Sequence, residues 1–566
     1  MLRYHEPAIK LPMKRHTTRS IVLAGSLLCC LRLTGRTADT TSTAAAPSAP
    51  PQAIKDWQDK RFGLFIHWGP ISLKGTEIGW SRIPGPNGAA GGTVPAKEYD
   101  ALYRRFNPTT FNANDWVSVA QAAGTKYVVF TTKHHDGFCE FDSKLTDYKI
   151  TSPESRFHRD VVKELAAACQ QAGLPFGVYY SQPDEHHPDY RKRTHQNYVR
   201  YMHGQVRELL SNYGPISVLW FDGLGGSADD WDAKRLFPMI RQLQPNILIN
   251  NRCGLPGDFD TPEQRIGSYQ DERPWETCMT LGEQWAWKPD DQMKSLQQCV
   301  TTLVRCAGGD GNLLFNVGPM ADGRIEPRQV ERLKEIGEWL KRNGESIYGT
   351  RGGPWKPTRA VASTRREQTI YLHILRASAE AIELPDVPRQ VAGASLLNGD
   401  KLEFAQKDGK LRIGLAISQH QTIDTIVKLQ LDGSAMDLPA QEIPSGFRAE
   451  ASNIYHNQTD DYGPQLAFDG DPSTRWATDE GTKHAWVGVT LNSPRTVRSV
   501  TISEEYDRVR KFEFQCWDGG HWKTIFRGTT LGSHFRREFA PVTGREFRLR
   551  VLDATDGPTI AEIDLQ

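Results

Sequence analysis

Between residues 53 and 348, short apolar runs alternate with amphipathic stretches, and five of the runs end in polar, aromatic or ionisable residues. The runs are 62–67 (FGLFIH), 127–132 (YVVFTT), 176–181 (FGVYYS), 216–221 (ISVLWF), 247–250 (ILIN) and 313–316 (LLFN). Stretches 114–123, 159–172, 195–213 and 233–243 have helical patterning. Continuous apolar strands separated by helices call for a parallel sheet covered on both faces. Over this length the pattern predicts a (β/α)8-like TIM barrel. A doubly wound open sheet is the alternative, weakened by the lack of a Gly-rich phosphate loop after the first run.

A barrel builds its active site at the carboxyl ends of its strands. Those ends are His67-Trp68-Gly69, Lys133-His134-His135-Asp136-Gly137, Tyr179-Tyr180-Ser181, Trp220-Phe221-Asp222-Gly223 and Asn250-Asn251-Arg252. Asp222 follows VLWF, so a buried strand would deliver a carboxylate to the barrel mouth, the rigid and partly apolar setting a nucleophile needs. The competing reading makes Asp222 a helix cap or part of a DG turn. His134 and His135 invite a metal reading, but adjacent strand residues point to opposite faces and no HExxH spacing accompanies them. Hydrogen bonding to the hydroxyls of a small polar ligand suits them better.

The balance of 69 Lys+Arg against 68 Asp+Glu leaves a net charge of +1 and no one-signed field to gather nucleic acid. Mean hydropathy of -0.54 excludes a polytopic membrane protein. The 15 tryptophans suit a chain that stacks against flat apolar faces such as sugar rings.

Residues 1–38 read as a signal peptide. Lys14, Arg15 and Arg19 precede the apolar run 21–31, small residues follow at Thr37-Ala38, and the run is too short for a typical membrane span. Residues 39–52, rich in Ser, Thr, Ala and Pro, read as a linker that buries no core. The expectation is a periplasmic or secreted protein. Seven of the nine cysteines lie beyond the leader, irregularly spaced and without a CxxC pair, which is neither a zinc framework nor a dense disulfide scaffold. They leave room for one or two bridges.

After residue 350 the runs shorten and turn residues multiply. Residues 351–440 read as a small antiparallel β-sandwich and 445–566 as a further all-β domain.

The blocks FGLFIHWG, Trp80-Ser81-Arg82, KYVVFTTKHHDGF, VYYS, VLWFDG, NNR, TPEQ, PWETCMT and NLLFNVGP, in this order, resemble the α-L-fucosidases of glycoside hydrolase family 29. The resemblance implies a retaining hydrolase acting through a covalent fucosyl-enzyme, with Asp222 as nucleophile and no catalytic cofactor. For the acid/base it favours Glu263, with Glu276, Glu272 and Asp260 as rivals. Retaining glycosidases hold their two carboxyl groups about 5–5.5 Å apart. By the same resemblance His67, His134 and His135 bind fucose hydroxyls, Tyr179 lies near the nucleophile, and Arg252 contacts the sugar or orients Asp222. Trp80, Trp220 and Trp287 would pack on the apolar face of fucose, with barrel core as the alternative for Trp220. Glu276, if not the acid, lines the substrate site or supports the sixth-strand region. One departure stands out: many members carry an acidic residue directly before the tryptophan matched by Trp80, and here it is Gly79, with Glu77 two residues earlier. TPEQ with PWETCMT resembles the branch that prefers α-1,3/1,4-linked fucose on GlcNAc. The implied partner is a fucosylated glycan. An inactive fucose-binding lectin and an α-galactoside hydrolase on the same barrel are the alternatives.

Further on, FDGDPSTRW, WVGV and a closing AEI resemble the discoidin-like, F5/8 type C β-sandwich often used as a carbohydrate-binding module. The resemblance implies a structural calcium held by Asp469, Asp471, Thr474 and Glu562, hard oxygen donors suited to that ion; an Asx-rich turn without metal is the alternative. Tyr455, His456, Tyr462 and Trp517 are candidates for sugar contact.

Overall fold

The computed structural model describes residues 48–84, 92–223, 225–376, 381–444, 446–470 and 474–566. The expected signal peptide and residues 39–47 of the expected linker lie outside them. The end of that linker is corrected: Ala49 is buried and its N–H donates to Asp258 Oδ1 at 2.7 Å. A helix, α1 (Pro51–Gln58), then starts with proline at its first position, where the missing N–H costs nothing.

Seven strands form one parallel sheet: β1 (Phe62–Ile66), β2 (Val128–Lys133), β3 (Phe176–Tyr180), β4 (Val218–Phe221), β5 (Leu248–Ile249), β6 (Glu276–Thr280) and β7 (Asn312–Val317). Their spatial order is β5-β4-β3-β2-β1-β7-β6. Between the edge strands β5 and β6 runs an irregular eighth stave. Asn250 pairs with Phe259, Asp260 with Trp275 and Glu263 with Cys278, all in parallel sense. The stave stays irregular because Pro262 cannot donate to a ladder and because its entry is pinned sideways, with Asp258 accepting from Ile249 N at 2.7 Å and from Arg241. Gly257, at φ 60, makes the sharp entry, with the Ile249 and Asn250 carbonyls packed where a Cβ would stand. The ring is thus (β/α)8-like, with helices α2 (Ala113–Ala122), α3 (Val161–Gln171), α4 (His195–Asn212), α5 (Ala233–Leu243), α6 (Leu296–Gly308) and α7 (Pro327–Asn343). No helix separates β5, the stave and β6.

The four expected helices occur within one or two residues of their predicted ends. Asn112 and Asp160 cap α2 and α3, their side chains accepting from Asn114 N and Lys163 N. β6, α6 and α7 complete the barrel beyond the six strand runs and four helices that the hydrophobic pattern picked out. β1 to β4 are buried along their whole length, as strands between a packed barrel interior and a helical layer must be.

The next segment is two antiparallel sheets, of five strands and three, closed on a core that includes Trp355, Leu372, Leu411 and Leu429. The last is a seven-stranded antiparallel sheet whose two 20-residue strands, Ala485–Glu504 and Phe535–Ala554, break register midway. At those breaks the sheet folds over onto a core of Trp476, Phe512, Phe514 and Phe547. The seven described cysteines are buried free thiols. No described helix is long and apolar enough to cross a membrane.

Candidate active site

Asp222 leaves the end of β4 with its backbone N–H donating to Gln182 Oε1 at 2.8 Å, which fixes the carboxylate at the mouth. Its Oδ2 accepts from the Tyr179 hydroxyl at 2.8 Å and lies 3.5 Å from His135 Nε2. Its Oδ1 accepts from Arg252 Nη1 at 3.0 Å. Burial pushes the Asp222 carboxyl up, but the Arg252 charge and the Tyr179 hydrogen bond outweigh it and hold the group below its ordinary value. Asp222 is therefore a carboxylate at neutral pH.

The same Arg252 Nη1 lies 2.7 Å from Glu263 Oε2 on the eighth stave. The two contacts place Asp222 Oδ1 and Glu263 Oε2 at most about 5.7 Å apart. Arg252 is itself fixed, donating to Thr261 Oγ1 at 2.8 Å and Thr261 O at 3.0 Å, with its guanidinium 4.6 Å above the Trp220 ring. Asp222 is 13% exposed at its side chain and Glu263 40%, so one carboxylate lies inside the mouth and the other on its rim.

Three histidines complete the floor. The His67 ring centroid lies 5.6 Å from that of His134, and the His134 ring 4.2 Å from that of His135. Burial pushes His67 down to about 3 and His135 to about 4, and holds His134 well below its ordinary value. All three are neutral at neutral pH. His67 Nδ1 meets Asn316 Oδ1 at 2.6 Å, and the Asn316 amide donates to Trp285 O. His135 Nδ1 meets Ser181 Oγ at 2.6 Å, and that hydroxyl donates to Pro183 O. With those partners already donating elsewhere, each imidazole carries its proton on Nδ1 and keeps Nε2 as an acceptor for a ligand hydroxyl.

The expectation that His134 and His135 face opposite ways is corrected. β2 ends at Lys133, so strand alternation lapses before them. Donor atoms of His134, His135 and Asp222 lie within 4.8 Å of one another, a group able to hold a metal ion. Both Asp222 oxygens are already committed to Tyr179 and Arg252, and the Arg252 cation next to Asp222 opposes a second cation.

Glu276 is corrected as a sugar contact and as a rival acid. It opens β6 at the opposite end of the barrel, fully buried, with Oε1 accepting from Trp220 Nε1 at 3.2 Å and Oε2 from the Tyr127 hydroxyl. Burial raises its carboxyl to about 7. Asp260 is tied to Arg273 Nε at 2.8 Å and Asn251 Nδ2 at 3.0 Å. Glu272 is exposed in the turn before β6. Trp220 serves as core and floor at once: it is 1% exposed, stacks on Tyr179 at 5.7 Å and carries Arg252.

Trp80 sets its ring edge-on to His135 at 5.2 Å. Trp287 packs against the Gly75 turn; the tryptophan that meets the histidines is Trp285, 4.8 Å from His67. The expectation named Trp287 and not Trp285, because the strand-like alternation of the WAW tripeptide offered no signal that Trp285 meets His67. Glu77 does not stand in for the missing acid before Trp80. Its carboxylate accepts from Ile78 N at 3.0 Å, Trp285 N at 2.8 Å and Ala286 N at 3.0 Å, tying two rim loops together. Gly79 sits at φ 69, where an added Cβ would lie 2.7 Å from His134 Nδ1.

In the C-terminal module, Asp469 accepts from the Thr474 hydroxyl at 2.9 Å; Asp471 lies outside the described residues. Glu562 Oε2 is buried with no hydrogen-bond partner, and burial together with Asp469 and Asp564 raises its carboxyl to about 8. A buried carboxyl oxygen without a partner beside a second carboxylate offers part of the roughly six to eight oxygens that a calcium ion takes.

The α-L-fucosidase family model matches residues 31–345. The chain belongs to that family. A model of the F5/8 type C domain matches residues 448–564. Human plasma α-L-fucosidase is 31% identical over 385 residues, covering 62% of this chain and 82% of the relative. Among solved structures, α-L-fucosidase isoenzyme 1 from Paenibacillus thiaminolyticus aligns with a TM-score of 0.61 and 36% identity, covering 67% of this chain and 99% of its own. A family 29 α-L-fucosidase from Bacteroides thetaiotaomicron, trapped as a covalent intermediate, aligns at 0.62 and 25%, covering 69% and 98%.

Proposed function

We propose that this chain is a retaining α-L-fucosidase that removes terminal fucose from fucosylated glycans through a covalent fucosyl-enzyme, with Asp222 as nucleophile and Glu263 as acid/base. The bridge through Arg252 carries the reading. An upper limit of about 5.7 Å between Asp222 Oδ1 and Glu263 Oε2 accommodates the roughly 5–5.5 Å of a retaining pair and lies below the roughly 6.5–9.5 Å an inverting enzyme needs to seat a water.

Asp222, held ionised, attacks the anomeric carbon from inside the mouth. Glu263 gives its proton to the departing oxygen at the rim, then takes one from the water that cleaves the ester. Neutral His67 and His135 accept from sugar hydroxyls through Nε2, and Tyr179 keeps the nucleophile in line. The preference for α-1,3/1,4-linked fucose on GlcNAc belongs to the same reading and rests on the TPEQ and PWETCMT blocks. So does export to the periplasm or beyond, which rests on residues outside those described. A structural calcium in the module, on Asp469, Asp471, Thr474 and Glu562, is proposed on the orphaned Glu562 oxygen.

The test follows fucose release from a Lewis-type oligosaccharide and from an aryl α-L-fucoside. Asp222→Ala should abolish both. Glu263→Ala should slow the oligosaccharide by about 10²–10⁴-fold, and azide should restore turnover of the aryl fucoside as an azido-fucoside. Release indifferent to Glu263→Ala would reject its role, and binding without turnover by the parent would make the chain a lectin.

A further inference from the structure

Two residues beyond Glu263 the eighth stave carries Arg265, whose Nη1 lies 2.6 Å from Asp461 Oδ1 of the C-terminal module. The two side chains are 52% and 37% exposed, and such a pair adds little binding energy. It does fix position: two residues of chain span at most about 7 Å, so the module's 455–462 segment stands beside the loop that bears Glu263. That loop is held to β6, with Gln264 N donating to Cys278 O at 2.9 Å and Thr277 Oγ1 to Arg265 O at 3.0 Å.

The module presents an aromatic cluster at this point. Tyr455 stacks on His456 with centroids 4.1 Å apart and meets Tyr462 edge-on at 5.1 Å; the Arg475 guanidinium lies 5.4 Å from the Tyr462 ring. A clamp holds the cluster: Asp479 accepts from His456 N at 2.7 Å and Asn453 Nδ2 at 3.0 Å, and its own N–H donates to Asn453 Oδ1. Within the clamp His456 and Asn457 sit at φ 47 and 57, consecutive non-glycine residues in the left-handed region. That conformation persists only where surrounding contacts over-determine it, as they do in ligand clamps. His456 is exposed, and Tyr455 and Tyr462 are half-buried.

The acid/base of a glycosidase stands on the leaving-group side of the bond it cleaves. Whatever lies outside the Glu263 loop therefore meets the sugars that carry the fucose. Flat aromatic faces flanked by hydrogen-bonding groups are what a sugar ring packs against. We propose that Tyr455, His456 and Tyr462 form the outer end of the active site and bind the leaving oligosaccharide, so that the module and barrel grip one glycan chain. The proposal rests on the retaining-fucosidase reading above.

The test compares kcat/KM on a Lewis-type oligosaccharide with that on α-L-fucosyl fluoride, which has no outer sugars, in the full-length parent and in Tyr455→Ala/Tyr462→Ala. The ratio should fall about tenfold through KM, the loss of one or two aromatic contacts. His456→Ala, which removes an exposed side chain, should show part of the same fall. The defucosylated oligosaccharide should bind the parent, measured by calorimetry, and bind the double variant more weakly. An unchanged ratio in both variants, or equal binding of the defucosylated oligosaccharide to the parent and the double variant, overturns the proposal. A parent that releases no fluoride rejects the fucosidase reading instead.

Discussion

Glu276→Gln isolates the electrostatics beneath the site. Glu276 is fully buried, and its carboxyl rises from the ordinary 4.5 to about 7 because burial disfavours the charge more than the Tyr127 and Trp220 hydrogen bonds favour it. At 1.36 kcal/mol per pH unit, ionising it inside the fold costs about 3 kcal/mol. Between 4.5 and 7 the folded chain holds a proton that the unfolded chain has lost, so this residue makes stability fall as pH climbs through that window. Above about 7 the whole penalty is present. Glutamine has no charge to bury and keeps both contacts: Oε1 accepts from Trp220 Nε1–H and Nε2 donates to the Tyr127 hydroxyl. Parent and variant should therefore melt together at pH 5, and the variant should be more stable by about 1–3 kcal/mol at pH 8.5, allowing for relaxation around the charge. The assay is the barrel's melting transition by tryptophan fluorescence at pH 5, 7 and 8.5, where about 2 °C corresponds to each kcal/mol. Parallel pH curves for the two proteins would refute the reasoning, because they would mean that burial of Glu276 does not shift its titration.

Gly79→Ala should lower kcat/KM on an aryl fucoside and cost about 1–3 kcal/mol of stability, since φ 69 strains any side chain and the new Cβ crowds His134; kinetics and melts check it. His67 and His135 should show no titration above pH 5 in NMR spectra of ¹⁵N-histidine-labelled protein. Because their folded values lie below that of the unfolded chain, stability should be lost as pH falls from about 6.5, and His135→Gln should soften that loss. Calcium should raise the melting midpoint of the C-terminal module at pH 7, by about 2.7 kcal/mol of stability at a hundredfold excess over Kd. A chelator should reverse the rise, and Glu562→Gln should remove the response.

Much of the barrel was legible because its signals are local. An apolar run of four to six residues ended by a polar one reports a strand and its mouth without any knowledge of the neighbours, and Asp222 was singled out that way; the roles of His67, Tyr179 and Arg252 came from the family resemblance. β6 was not, since ETCMT is mixed in character and becomes a buried strand only between β7 and the irregular stave. The stave itself has no periodicity to read, because Gly257 and Pro262 break it and pairing with both edge strands defines it.

The sequence by itself determined which side chains are delivered to the barrel mouth, because that depends on where each strand stops. Only the tertiary structure decided what those side chains do to one another. It took Glu276 out of contention by burying it at the far end of the barrel, and it brought Trp285 rather than Trp287 to the histidines. It turned His134 and His135 to one side past the end of β2, and it set Asp222 and Glu263 on one guanidinium from segments 41 positions apart. Distances of this kind depend on ring closure and loop packing, which couple residues remote in sequence, and no local pattern of residues encodes them.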